Sequence, residues 1–223
     1  MDNKITPARD AGEDDRIMRI ALVYAGLFAL VALSYFFLDR QVASGLRPYT
    51  HGVQLFVWLT YIVNPLIPLA CIAAAFIGAR ALVRGSITPA ESTLLRICCA
   101  ILIAYVLKEQ LKYVFGRTWP ETWTNNNPSF FGNPSTYGFF PMHGGPGYAS
   151  FPSGHTTLVA TVAGALWSLV PKLRWPGVAL VIAVAAGLLG ADYHWLSDIL
   201  AGAVLGVTTG VAAARIGRAS DAA

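Results

Sequence analysis

Three short stretches hold most of the residues in this chain that could do chemistry. The first, Lys112-Tyr-Val-Phe-Gly-Arg117-Thr-Trp119-Pro120, supplies two cations. The second is Phe151-Pro152-Ser153-Gly154-His155, and the third is His194-Trp-Leu-Ser-Asp198. On a helix, His194 and Asp198 are four apart and share a face. Asp198 can then accept from one imidazole nitrogen and leave the other as an unprotonated nucleophile or base. A second histidine, His155, could protonate a leaving oxygen. A Pro-Ser-Gly-His sequence ahead of an apolar run sets backbone amides and a hydroxyl at a helix N-terminus, which suits an anion. Lys112 and Arg117 are cations of the kind that clamp phosphate. Two histidines, a carboxylate and cations without thiolates suggest phosphoryl transfer more than metal hydrolysis.

The elements that must position these groups are membrane helices. Of 223 residues, 55% are hydrophobic and 13% charged, against about 45–50% and about 25% in soluble domains. A soluble enzyme, a disordered chain and a fibrous repeat are thereby excluded. The net charge of +4 is small and scattered, so nucleic acid is not expected as a partner. The apolar runs predict an all-α bundle of six transmembrane helices: Ile20–Leu38, about Tyr61–Ala79, Leu94–Leu107, His155–Val170, Trp175–Ala191 and Ile199–Ala214. Pro48–Thr60 reads as an interfacial helix or a lead-in. The third run continues in helical pattern past Lys108 and Lys112, whose long side chains can snorkel to the surface.

Residues 1–16 read as a polar, mobile cytoplasmic tail, 17–218 as one membrane domain and 219–223 as a C-terminal tail. Of the 16 Lys and Arg residues, eleven fall on the side of the termini and five (Arg40, Arg47, Lys108, Lys112 and Arg117) on the other. The excess predicts cytoplasmic termini. All three chemical stretches then lie at the outer face. Cys71, Cys98 and Cys99 sit in apolar segments, where free buried thiols are expected.

The ordered set of stretches resembles the type 2 phosphatidic acid phosphatase superfamily, whose fold is shared with vanadium haloperoxidases. That family's motifs are K-x6-R-P, P-S-G-H and S-R-x5-H-x3-D. Pro152–His155 matches the second motif in full, His194 and Asp198 match the last half of the third, and Lys112 and Pro120 match the first. Two arginines are replaced: Trp119 stands at the first motif's arginine, and Gly187-Leu188 at the third motif's Ser-Arg pair. The resemblance implies that His194 attacks phosphorus to form a phosphohistidine, Asp198 orients it and His155 serves as general acid. It also implies that Lys112, Ser153 and Gly154 bind phosphate oxygens. Arg117 joins them by proximity.

No metal or cofactor enters this scheme. The expected partners are a lipid phosphate substrate and membrane lipids, and the expected site of action is the outer face of a bacterial inner membrane. A lipid phosphotransferase, a haloperoxidase and a non-catalytic lipid-phosphate-binding or transport protein are the alternatives. The loop from Trp119 to Phe151 carries Trp123, Phe130, Phe131, Tyr137, Phe139, Phe140 and Tyr148. It reads either as an interfacial aromatic belt or as a substrate lid, with His143-Gly-Gly-Pro as a hinge or a further polar contact.

Overall fold

The computed structural model describes residues 11–122 and 126–216, and every regular element among them is helical. The chain is an integral membrane protein built from α1 (Ala11–Leu33), α2 (Asp39–Thr50), α3 (Gln54–Tyr61), α4 (Leu66–Arg84), α5 (Pro89–Phe115), α6 (Gly154–Leu169), α7 (Arg174–Gly190) and α8 (Leu196–Ile216). Five stretches among the described residues are long and apolar enough to cross a membrane: Gly12–Thr50, Gln54–Arg84, Pro89–Phe115, Pro171–Gly190 and Leu196–Ile216. The fourth expected span, α6, has 16 residues. At about 1.5 Å per residue it falls a little short of the roughly 30 Å hydrocarbon core. It is also the most enclosed helix, packed by α5, α7 and α8. Bulky apolar side chains such as Phe28, Phe36, Ile72 and Phe76 face outward, where lipid takes the place of a protein neighbour.

The first span differs from its expected bounds. Part of the expected tail is helical, because α1 begins at Ala11 with Glu13 and Asp14 in its first turn, where acidic groups favour the helix dipole. At the other end Asp39-Arg40 does not stop the helix. A π-helical turn over Ser34–Leu38 joins α1 to α2, and helix continues to Thr50. The turn carries Asp39 inward to 1% exposure, so the charge satisfies protein partners and does not need the membrane surface. The stretch read as a lead-in is the end of α2, a turn at His51–Val53, and α3, which packs on α7. The third span runs past Lys108 and Lys112 to Phe115 as its pattern allowed. It starts with a capping box between Thr88 and Glu91 and with Pro89 at the first helical position, a strong start signal.

α6 and α8 approach closely because glycines recur every fourth residue on α8. A Cβ at Gly202, Gly206 or Gly210 would stand 2.6, 2.3 or 2.2 Å from the carbonyl oxygens of Ser153, Thr157 and Thr161. Small residues at this spacing let membrane helices make backbone contact. The α6 threonines keep their hydroxyls satisfied within the helix, Thr157 donating to Ser153 O at 2.7 Å and Thr161 to Thr157 O at 2.8 Å. Gly206→Ala is expected to lower stability by about 1–3 kcal/mol through overpacking. Alanine's better helix propensity, worth about 1 kcal/mol, cannot offset a clash with backbone. Thermal unfolding in detergent would measure it, and equal or higher stability would mean that the helices can separate freely.

Candidate active site

The third stretch is built differently from a helix-face pair. His194 lies two residues ahead of α8, and Asp198 occupies its first turn. The Asp198 carboxylate reaches back so that Oδ2 accepts from Trp195 N–H at 3.1 Å, the return half of a capping box. The same oxygen lies 3.3 Å from His194 Nδ1 and accepts from Ser150 Oγ at 2.5 Å. With Nδ1 donating to Asp198, Nε2 is the nitrogen left unprotonated. Burial holds the His194 imidazole below the ordinary histidine range, although Asp198 pulls the other way. The ring is therefore neutral at neutral pH.

His194 shares a cavity of about 280 Å³ with His155, Gly154, Lys112 and Trp119. Ser153 is the N-cap of α6: its Oγ accepts from Thr156 N–H at 3.4 Å, and its own amide donates to Asp198 O at 3.0 Å. This backbone bond ties the second stretch directly to the third. Gly154 and His155 come next, and amides at these first helical positions have no intrahelical acceptor. Of the groups expected to bind phosphate, Lys112 and Gly154 line the cavity. Ser153 is fully buried behind them as a cap.

Arg117 lies elsewhere. It has no exposed surface, and its guanidinium is taken up by carboxylates. Nη1 donates to Asp198 Oδ1 at 2.5 Å and Ser197 Oγ at 2.6 Å, and Nη2 donates to Asp39 Oδ2 at 2.6 Å. Four rings enclose it, with Phe139, Tyr35, Trp195 and Tyr137 at 4.9, 5.0, 5.4 and 5.5 Å from the guanidinium carbon. Burial opposes its charge, but Asp198 and Asp39 outweigh that and raise its pKa. The expectation that Arg117 binds phosphate is corrected on this ground: its side chain braces the back of Asp198. Asp39, which the sequence reading took for the end of a span, is the missed member of this network. Asp39 Oδ1 accepts from Ser197 N–H at 2.8 Å and Oδ2 from Ser197 Oγ at 2.5 Å, so α2 holds the start of α8. A carboxylate interrupting an apolar helical pattern was the available signal.

Neither lysine of α5 snorkels. Lys108 and Lys112 have side-chain exposures of 7% and 17%, and both line a second cleft of about 330 Å³ with Gly154 and His155. The two positions where the family has arginine carry no charge here. Trp119 packs its ring 4.9 Å from that of His194 and donates from Nε1 to Pro146 O at 2.6 Å. Leu188 is fully buried in the apolar core with Leu158, Val159 and Val184.

The aromatic loop folds down over the site. Phe130 and Tyr137 pack against Trp195, and Phe139 against Phe115 and Phe151. Trp123 lies outside the described residues. The His143 ring lies tilted against Tyr148, centroids 4.9 Å apart, and lines a neighbouring cavity of about 350 Å³ that includes Lys112. The α7–α8 turn is held from outside by Asp192, which accepts from Arg47 at 2.9 Å and lies 3.0 Å from His51 Nδ1. Burial raises the Asp192 carboxyl despite these partners. Another cavity lies between α1 and the later part of α8, lined by residues from Ile20 to Leu27 and from Ala203 to Arg215.

Comparison with known proteins identifies the family. Residues 93–221 match the profile of the PAP2 superfamily. The chain is 28% identical to a lipid A 1-phosphatase of Rhizobium etli over 106 residues, covering 48% of this chain and 42% of that protein. It is 31% identical to an undecaprenyl-diphosphatase of Sulfolobus acidocaldarius over 108 residues, covering 48% and 47%. The matched region thus spans less than half the length of each of these curated relatives. The fold is similar to that of the transmembrane PAP2-type phosphatidylglycerolphosphate phosphatase from Bacillus subtilis. That likeness has a TM-score of 0.53 at 18% identity, over 87% of this chain and 96% of that one. The family match covers more than half of the chain, which therefore belongs to the PAP2 superfamily.

Proposed function

We propose that this PAP2 superfamily member is a membrane phosphohydrolase that removes phosphate from a lipid-linked phosphate or pyrophosphate through a phosphohistidine at His194. One observation carries the reading. Asp198 engages His194 at Nδ1, and the imidazole shares its cavity with His155 and Lys112. Nε2 attacks phosphorus, and the bond from phosphorus to the lipid oxygen breaks as His155 delivers a proton to that oxygen. The neutral His155 then takes a proton from water, whose oxygen attacks phosphorus and releases inorganic phosphate and free His194. Lys112 and the first amides of α6 stabilise the charge on the phosphoryl oxygens in both steps. The scheme needs no metal ion. The lipid phosphate substrates named for the two curated relatives support this substrate class, as do the apolar outward faces of α1 and α4.

The Lys and Arg distribution supports cytoplasmic termini and a site at the outer face of a bacterial inner membrane. Phosphate release from a panel of lipid phosphates by detergent-purified protein, with a chelator present, tests the reading. Release that persists with chelator supports it. Absence of release from every lipid, with folding verified, would turn the interpretation towards a lipid-phosphate-binding protein.

The depressed His194 pKa sets the sign of the pH dependence. The nucleophile is active when unprotonated, so protonation of His194 should cut kcat/KM only below about pH 6.5, the ordinary histidine value, while loss of the proton that His155 donates cuts it as pH rises. A pH–rate profile corrected for the substrate's own ionisation checks this, and an acid limb centred above pH 7 would contradict it.

A further inference from the structure

Lys108 plays no part in the scheme above, yet it sits beside the residues that do. Its ammonium is buried one helical turn before Lys112, in a segment where ionisable groups are rare and mark function. It turns towards the start of α6. A Cβ at Gly154 would stand 3.1 Å from Lys108 Cδ and 3.3 Å from its Nζ. Glycine thus leaves room for the Lys108 side chain to lie against the first turn of α6. Lys108, Lys112, Gly154 and His155 all line one cleft. With Trp119 and Leu188 bringing no charge, these two lysines are the cations at the site, because Arg117 is committed to Asp39 and Asp198.

Glu109 completes the arrangement. Its Oε1 is paired with Lys108 Nζ and lies 3.7 Å from Lys112 Nζ. A single carboxylate oxygen is thus shared by two ammonium groups, and Glu109 itself lines the neighbouring cavity with Lys112 and His143. We propose that Lys108 and Lys112 form a two-ammonium cradle for the phosphoryl oxygens of the substrate, and that Glu109 Oε1 occupies the oxygen position until phosphate displaces it. Lys108 is then a substrate-contacting residue, and Glu109 a built-in competitor that keeps both ammonium groups aimed while the site is free. The inference rests on the phosphohydrolase reading and adds to it the second cation and the competing anion.

Inorganic phosphate titrated calorimetrically into the intact protein in detergent tests the proposal without requiring turnover. Lys108→Met should weaken phosphate binding about tenfold or more, as loss of a charged hydrogen bond implies. Lys108→Arg should retain most of it, and Glu109→Gln should tighten it. The Glu109 side chain is 42% exposed, so Glu109→Gln folds even where Lys108→Met does not, and its direction alone decides the competitor role. Unchanged phosphate affinity in Lys108→Met, or weaker binding in Glu109→Gln, would overturn the cradle while leaving the phosphohydrolase reading in place. Failure of the unaltered protein to bind phosphate would overturn both.

Discussion

His194→Ala is expected to reduce phosphate release from every lipid substrate by about 10³-fold or more, as removal of a covalent nucleophile does elsewhere. The fold should survive. The imidazole contributes two long hydrogen-bond contacts at Nδ1, to Asp198 at 3.3 Å and Ser150 at 3.5 Å, and a ring contact with Trp119. Asp198 would keep Arg117, Ser150 and the Trp195 amide as partners. The measurement is initial-rate phosphate release beside thermal unfolding of the same preparation. A loss of activity matched by a loss of folded protein would point to a structural histidine. Intact activity would remove His194 from the chemistry altogether.

The largest effect on stability is expected at Arg117. The buried cluster holds one guanidinium and the carboxylates of Asp39 and Asp198, all with no exposed side-chain surface. Arg117→Met leaves two carboxylates facing each other with no cation between them. Breaking a buried pair in this way costs about 3–5 kcal/mol. The four rings around the guanidinium do not reduce that cost, since they cannot neutralise a carboxylate. Asp39→Asn leaves the Arg117–Asp198 pair whole and balances its charge, so it should cost clearly less. Chemical unfolding of the two variants gives the comparison. Equal losses, or a larger loss in Asp39→Asn, would show that charge balance does not hold this end of the bundle together.

The parts of the site that were legible in sequence are those where a residue type has few other uses. His194, Asp198, His155 and Lys112 are scarce ionisable groups at the ends of apolar runs; His194, His155 and Lys112 line one cavity, with Asp198 buried behind His194. The six apolar runs were legible for the same reason, since hydrocarbon tolerates few exceptions. What escaped was direction within a helix. Asp39 looked like the polar end of a span because nothing local reveals a π-helical turn or a partner 78 residues away. Lys108 looked like a snorkelling anchor, since its inward turn lies against Gly154 on another helix, which nothing local reveals. Arg117 and Lys112 are both cations in the first stretch, but α5 ends between them at Gly116, in the left-handed conformation. There a Cβ would stand 1.8 Å from Phe140 O. That turn sends Arg117 to the back of Asp198 and leaves Lys112 at the front.

The central claim is a phosphoryl group carried on His194. Lipid substrate labelled in the transferable phosphate, mixed with the protein and quenched in alkali within one turnover, tests it directly, because phosphohistidine survives base and is lost in acid. The account predicts base-stable, acid-labile label on a peptide containing His194, and none in His194→Ala. Steady phosphate release with no labelled protein, or equal label in His194→Ala, would contradict it.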